Sequence, residues 1–279
     1  MKISAPIKKI KSFAVVQSAK LGEKSSEKAG SMGLFLTELA NMTLFITRLF
    51  GETFSRRFEF KEFLRQCFQI GYKSLPLIAV TGAIMGIVLT IQTRPALADF
   101  GAVTLLPGMV TVSLIREIGP VVTALICAGK IGSGMGAELG SMKVSEQIDA
   151  MEVSATNPFK YLVVTRVLAS TLMLPILVLF ADASGIIGSW AGVNIKGSVN
   201  FVLFISQAFA SIDFIDLFPS LIKTIVFGAV IGIVGCYKGY TAGRGTESVG
   251  KAANSAVVLS SLLVIIVDMI AVQITDMMI

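Results

Sequence analysis

Five stretches of this chain are long and apolar enough to cross a lipid bilayer, and that constrains its fold more than any other feature. They run over Leu75–Gln92, Leu106–Ala128, Tyr161–Ala191, Leu217–Tyr237 and Ala252–Ile274. A span needs about 17–25 mostly apolar residues, and in hydrocarbon each backbone N–H and C=O must be paired within its own segment, so each stretch reads as a helix. The first is short and extends inward through Gln66–Lys73. Tyr161–Ala191 contains Pro175 and Asp182 and is too short for two crossings. Gly82/Gly86, Gly188/Gly192 and Gly228/Gly232 stand four residues apart, a spacing that lets helices approach closely. The expected fold is an all-α integral membrane protein with five transmembrane helices.

Charge sets the orientation. Lys and Arg crowd residues 1–73, whereas 252–279 contain neither, and the connections after the first and third spans hold only Arg94 and Lys196. The positive-inside rule therefore puts the amino end in the cytosol and the carboxyl end outside. The net charge of +6 follows from this topology, and no basic–aromatic interleaving points to nucleic acid. Residues 1–30 read as a cytosolic tail without the apolar core of a secretory signal. Residues 31–73 are expected to form an interfacial region: Met32–Phe50 is apolar but carries Arg48 and is followed by Arg56, Arg57, Lys61, Arg65 and Lys73, so a helix there is expected to lie in the interface. Residues 74–279 form the membrane domain. A turn is expected over Thr93–Leu105, with Pro95 and Gly101, and a short outer helix over Phe201–Phe209.

Chemistry-bearing residues are few. There is no histidine, and Cys67, Cys127 and Cys236 are scattered without metal-ligand spacing, so an enzyme acting alone is not expected. The Gly-rich segment Lys238–Lys251 and the pair Gly129-Lys130 both lack the order of a phosphate loop. Within the second span stand Arg116 and Glu117, followed by Gly119-Pro120, which should kink the helix. Intramembrane charges are costly and mark function by default. Neighbours on a helix diverge by about 100°, so these two should face a cavity or another helix rather than each other.

The polar insert Gly129–Pro158 lies between the second and third spans. A helix over Ala137–Ala155 fits it, with Val144, Ile148, Met151 and Ala155 on one face and Glu138, Ser145, Asp149 and Glu152 on another. Gly132, Gly134 and Gly136 read as a flexible lead-in. Such a helix suits docking onto a soluble partner; the alternative is a solvated connection. The words AELGSMKVSEQIDAMEVSATNP, with Ala137, Glu138, Leu139, Gly140, Lys143, Glu146, Gln147, Met151, Glu152 and Pro158, closely resemble the central signature of the MlaE/YrbE family of ABC-transporter permeases. SLIREIGPVVTALICAGKIGS and Gly239-Tyr240, Gly243 and Val249-Gly250 extend the resemblance over about residues 59–268.

The resemblance implies a permease half that moves phospholipid between the inner membrane and the outer envelope. It also implies a second copy, an ATPase subunit that carries the ATP and Mg, an MCE-domain lipid-binding protein on the outer face, and room for a STAS-type regulator. The insert would be the cytosolic coupling helix, with Glu138, Lys143, Glu146, Gln147, Asp149 and Glu152 as ATPase contacts. Arg116 would attract a phosphate headgroup, with Glu117 beside it, and Leu89, Gln92 and Phe100 would touch acyl chains or the cavity rim. A competing reading is an ion-coupled carrier or channel with Arg116, Glu117, Asp182 and Asp268 as its relay. A third is a scaffold for envelope proteins.

Overall fold

The computed structural model describes residues 31–53, 58–195, 197, 199–212 and 214–278. The expected tail over 1–30, and Arg56, Arg57 and Lys196, lie outside the described residues. Internal contacts divide the chain into Met1–Arg56 and Arg57–Ile279. In the first unit, α1 (Ser31–Thr53) is one helix over the stretch expected to form an interfacial one.

The second unit holds α2 (Phe60–Asp99), α3 (Val103–Val144), the short α4 (Gln147–Val153), α5 (Phe159–Asn194), α6 (Phe201–Ala210), α7 (Phe214–Tyr240) and α8 (Thr246–Met278). Five of these, α2, α3, α5, α7 and α8, are long and apolar enough to cross a membrane, and the described residues contain no strand.

Several boundaries differ from the sequence reading. The expected inward extension through Gln66–Lys73 is helical, with a π-helical turn at Phe68–Tyr72, and residues 60–65, expected in the interfacial region, also run into α2. At its other end α2 continues through Pro95 to Asp99, so the turn expected over Thr93–Leu105 shrinks to residues 100–102. Pro95 is exposed and lies one turn from the helix end, where it supplies no N–H to the Ile91 carbonyl. Arg94 fastens this end by donating Nη1 to the Val193 carbonyl, 3.1 Å away on α5. The Gly-rich segment is also shorter than expected, because α8 begins at Thr246. Gly245 makes the turn at φ +89, a conformation that a side chain would strain.

The glycine spacings place the backbones in contact. A Cβ on Gly86 would lie 1.9 Å from the Gly185 carbonyl oxygen, and one on Gly228 2.5 Å from that of Ser170. Where α2 meets α5 the Thr90 and Ser189 hydroxyls share a 2.7 Å hydrogen bond. With lipid as apolar as leucine, such close packing and interhelical hydrogen bonds supply the association. The helix expected over Phe201–Phe209 forms as α6. Asn200 caps it by accepting from the Val202 N–H at 2.9 Å, and Phe204 and Ala208 are buried against Leu106, Val110 and Leu114 of α3.

Candidate functional site

α3 positions both halves of the site. It has 42 residues; at about 1.5 Å per residue it is about 60 Å long, twice the ~30 Å hydrocarbon thickness. Its middle can therefore sit within a bilayer while its last turns stand clear of one.

In the middle, residues Leu114–Ile118 form a π-helical turn, in which the Gly119 N–H bonds the Leu114 carbonyl. The next donor in that register would be Pro120, which has none. The Ile115 carbonyl it leaves over accepts instead from the Ser220 hydroxyl of α7 at 2.7 Å. The expected kink residues thus produce a widened turn sealed by a neighbouring helix.

This turn places Arg116 and Glu117 on the wall of a small cavity with Pro219, Ser220, Lys223, Val272 and Thr275. Glu117 reaches across helices, as its position beside Arg116 predicts. Lys223 on α7 donates to Glu117 Oε2 at 2.9 Å and to Asp268 Oδ1 on α8 at 3.1 Å. The Lys223 side chain is 5% exposed, so its charge is held by these carboxylates rather than by solvent. Two basic and two acidic side chains from three helices meet here within apolar spans. Of the four residues in the relay reading, Asp182 faces a different cavity. Leu89 is half-buried against the Leu106–Leu114 packing, and Gln92 and Phe100 are exposed; none of the three lines the cavity of Arg116.

At the far end of α3 the structure corrects the single helix expected over 137–155. α3 ends at Val144, Glu146 turns left-handed at φ 57, and α4 begins at Gln147. The Ser145 N–H and hydroxyl both bond the Ser141 carbonyl, and the Glu146 N–H bonds that of Lys143, so the last carbonyls are capped locally. Lys143 Nζ then bridges the break to Asp149 Oδ1 at 2.9 Å. Ile148, 1% exposed, anchors α4. Gly132, Gly134 and Gly136 are no flexible lead-in. They lie within the helical run of α3, where a Cβ on Gly136 would come 3.1 Å from the Ala252 carbonyl oxygen of α8.

The six proposed ATPase contacts separate. Glu146, Gln147, Asp149 and Glu152 are exposed, and Lys143 is half-buried. Glu138 is turned toward α5, where its Oε1 accepts from Arg166 Nη2 at 2.9 Å. The Arg166 side chain is 2% exposed, and its Nη1 donates to the Leu162 carbonyl.

Three residues escaped the sequence reading. Lys223 is a lone cation in an apolar run, and its signal was arithmetic: two intramembrane acids, Glu117 and Asp268, needed a partner. Arg166 stands near the start of the apolar stretch Tyr161–Ala191, with nothing local to name Glu138 as its partner. Val153, 88% exposed at the tip of α4, shows as an unpaired apolar residue only in three dimensions. Among the described residues no cluster of three or more His, Cys, Asp or Glu side chains could hold a metal.

A family model described as Permease MlaE matches residues 63–274. The chain is 40% identical over 203 residues to a probable ABC transporter permease protein of Rickettsia typhi, covering 73% of this chain and 78% of that one. It is 35% identical over 239 residues to a probable ABC transporter permease protein of Synechocystis, covering 85% and 90%. It is also 35% identical over 227 residues to the intermembrane phospholipid transport system permease protein MlaE of Haemophilus influenzae, covering 80% and 87%.

Proposed function

The chain belongs to the MlaE permease family, and from that premise we propose that it is the membrane-spanning half of an ABC transporter for phospholipids or related lipids. It works in the inner membrane, paired with a second copy, and carries lipid between that membrane and the outer envelope. ATP is hydrolysed on a separate ATPase subunit. An MCE-domain lipid-binding protein sits at the outer face, and a STAS-type regulator can join through the ATPase. α1 lies in the cytosolic interface.

The observation that carries this reading is α3, one continuous helical run with a charged cavity in its middle and an exposed acidic elbow at its end. The ATPase grips the elbow at Glu146, Gln147, Asp149 and Glu152, with Val153 entering an apolar spot on the partner and Lys143 holding the elbow's shape through Asp149. Glu138 passes the displacement to α5 through Arg166. Movement of α3 then changes the cavity where Arg116 holds a phosphate headgroup. Glu117 sits against Lys223 on the wall of the same cavity. Leu89, Gln92 and Phe100 contact acyl chains on the way in.

Arg116→Ala removes the headgroup's cation while keeping the Lys223 bridges. Photo-crosslinking to a phospholipid carrying a reactive acyl chain is expected to fall about tenfold, the loss of about 1.4 kcal/mol of binding. Unchanged crosslinking, with the complex intact, would remove Arg116 from the lipid site.

A further inference from the structure

A second cavity, about 180 Å³, lies between α3, α5, α6 and α7. Its walls are almost wholly apolar: Ile115, Val178, Leu179, Ile186, Phe209 and Leu217 contribute most of them. Two polar residues reach it. The Ser220 hydroxyl is already committed to the Ile115 carbonyl. Asp182 has no such commitment. It is 7% exposed, and its Oδ1 is enclosed without a hydrogen-bond partner. The side chain fits only because residue 119 is glycine; a Cβ there would lie 1.9 Å from that oxygen. Oδ1 is thus packed against the Gly119 backbone, and the carboxyl as a whole stands at the edge of an apolar hollow.

We propose that this cavity is a binding site for a membrane alcohol, an alkyl or acyl chain bearing a hydroxyl, with the hydroxyl on Asp182 and the chain in the hollow. A cavity on the order of 150 Å³ holds benzene, so this one takes a hydrocarbon segment of about six carbons. A hydroxyl both donates and accepts, so it satisfies the Asp182 carboxyl with or without its proton. An ammonium would bring a second charge among apolar walls, and a bare alkane would offer no partner to the carboxyl at the hollow's edge. Leu179, Ala183 and Phe209 at the rim are exposed, and Leu179 and Ala183 share the apolar outer face of α5 with Leu172, Ile176 and Ile187. The ligand therefore arrives from the surrounding bilayer. The site is distinct from the Arg116 cavity, with Ser220 lining both.

The test is photolabelling of the purified full-length protein in phosphatidylcholine nanodiscs with a diazirine-bearing octanol, read by peptide mass spectrometry. Label is expected on residues 178–186 and 217–221, reduced about tenfold by excess octanol but not by octane. Asp182→Leu should abolish this protected label, and Asp182→Asn, which keeps an acceptor, should retain it. Ala183→Trp blocks the rim without touching the buried acid and should also abolish it, which covers the case in which Asp182→Leu does not fold. Glu117 and Asp268 serve as internal references for carboxyl reactivity. Label spread over all spans according to exposure, equal competition by octane, or label concentrated on Glu117 or Asp268 would overturn the proposal.

Discussion

Lys223→Ala is expected to destabilise the protein by about 3 kcal/mol, because removing one member of a buried ion pair leaves the others uncompensated. The change deletes the one ammonium that serves Glu117 at 2.9 Å and Asp268 at 3.1 Å. Asp268, 18% exposed, suffers most, while Glu117 is 41% exposed and less enclosed by the protein. Thermal unfolding in detergent measures the loss. The triple change Lys223→Met, Glu117→Gln, Asp268→Asn should recover most of it, since apolar or neutral replacements of a whole buried network are tolerated. Lipid transfer should remain impaired in the triple variant if the charged cavity serves transport. A Lys223→Ala protein as stable as the wild type would show that the three side chains do not depend on one another.

Reversing the elbow's charge should release the ATPase. Asp149 is a poor choice for a clean test, because its bond to Lys143 spans the break between α3 and α4. Glu146→Lys with Glu152→Lys alters two exposed side chains and leaves that bridge intact. Recovery of the ATPase subunit in a pull-down should fall at least about tenfold, because like charges set against a complementary surface cost several kcal/mol. The permease dimer should persist. Full ATPase recovery would assign the elbow a purely connecting role.

The five spans were legible because length and apolarity are properties of a segment by itself. So were the glycine contacts, since a four-residue spacing puts small residues on one helix face. The elbow's break was not legible. Val144, Ile148 and Met151 keep helical spacing across it, and the turn is made by a single left-handed residue, Glu146, whose side chain gives no warning. Pro95 misled in the opposite direction; it reads as a helix end, yet an exposed place near the terminus of α2 absorbs it. Arg116 and Glu117 stood out because two adjacent charges interrupt an apolar run. Lys223 completes their site from more than a hundred residues away. Its role depends on how α3, α7 and α8 pack, which no local pattern records. Glu138 was read as part of an acidic docking face, and its bond to Arg166 arises because α5 returns beside α3.

If this permease carries lipid and is driven through its elbow by a separate ATPase, lipid and ATPase should travel with it. Native mass spectrometry of the complex purified through this chain reports both at once. The expected spectrum contains two copies of the chain, an ATP-binding-cassette subunit and bound phospholipid, with the ATPase absent when Glu146 and Glu152 are both lysine. A spectrum without any nucleotide-hydrolysing subunit, or one in which that subunit stays bound to the charge-reversed elbow, would contradict the account.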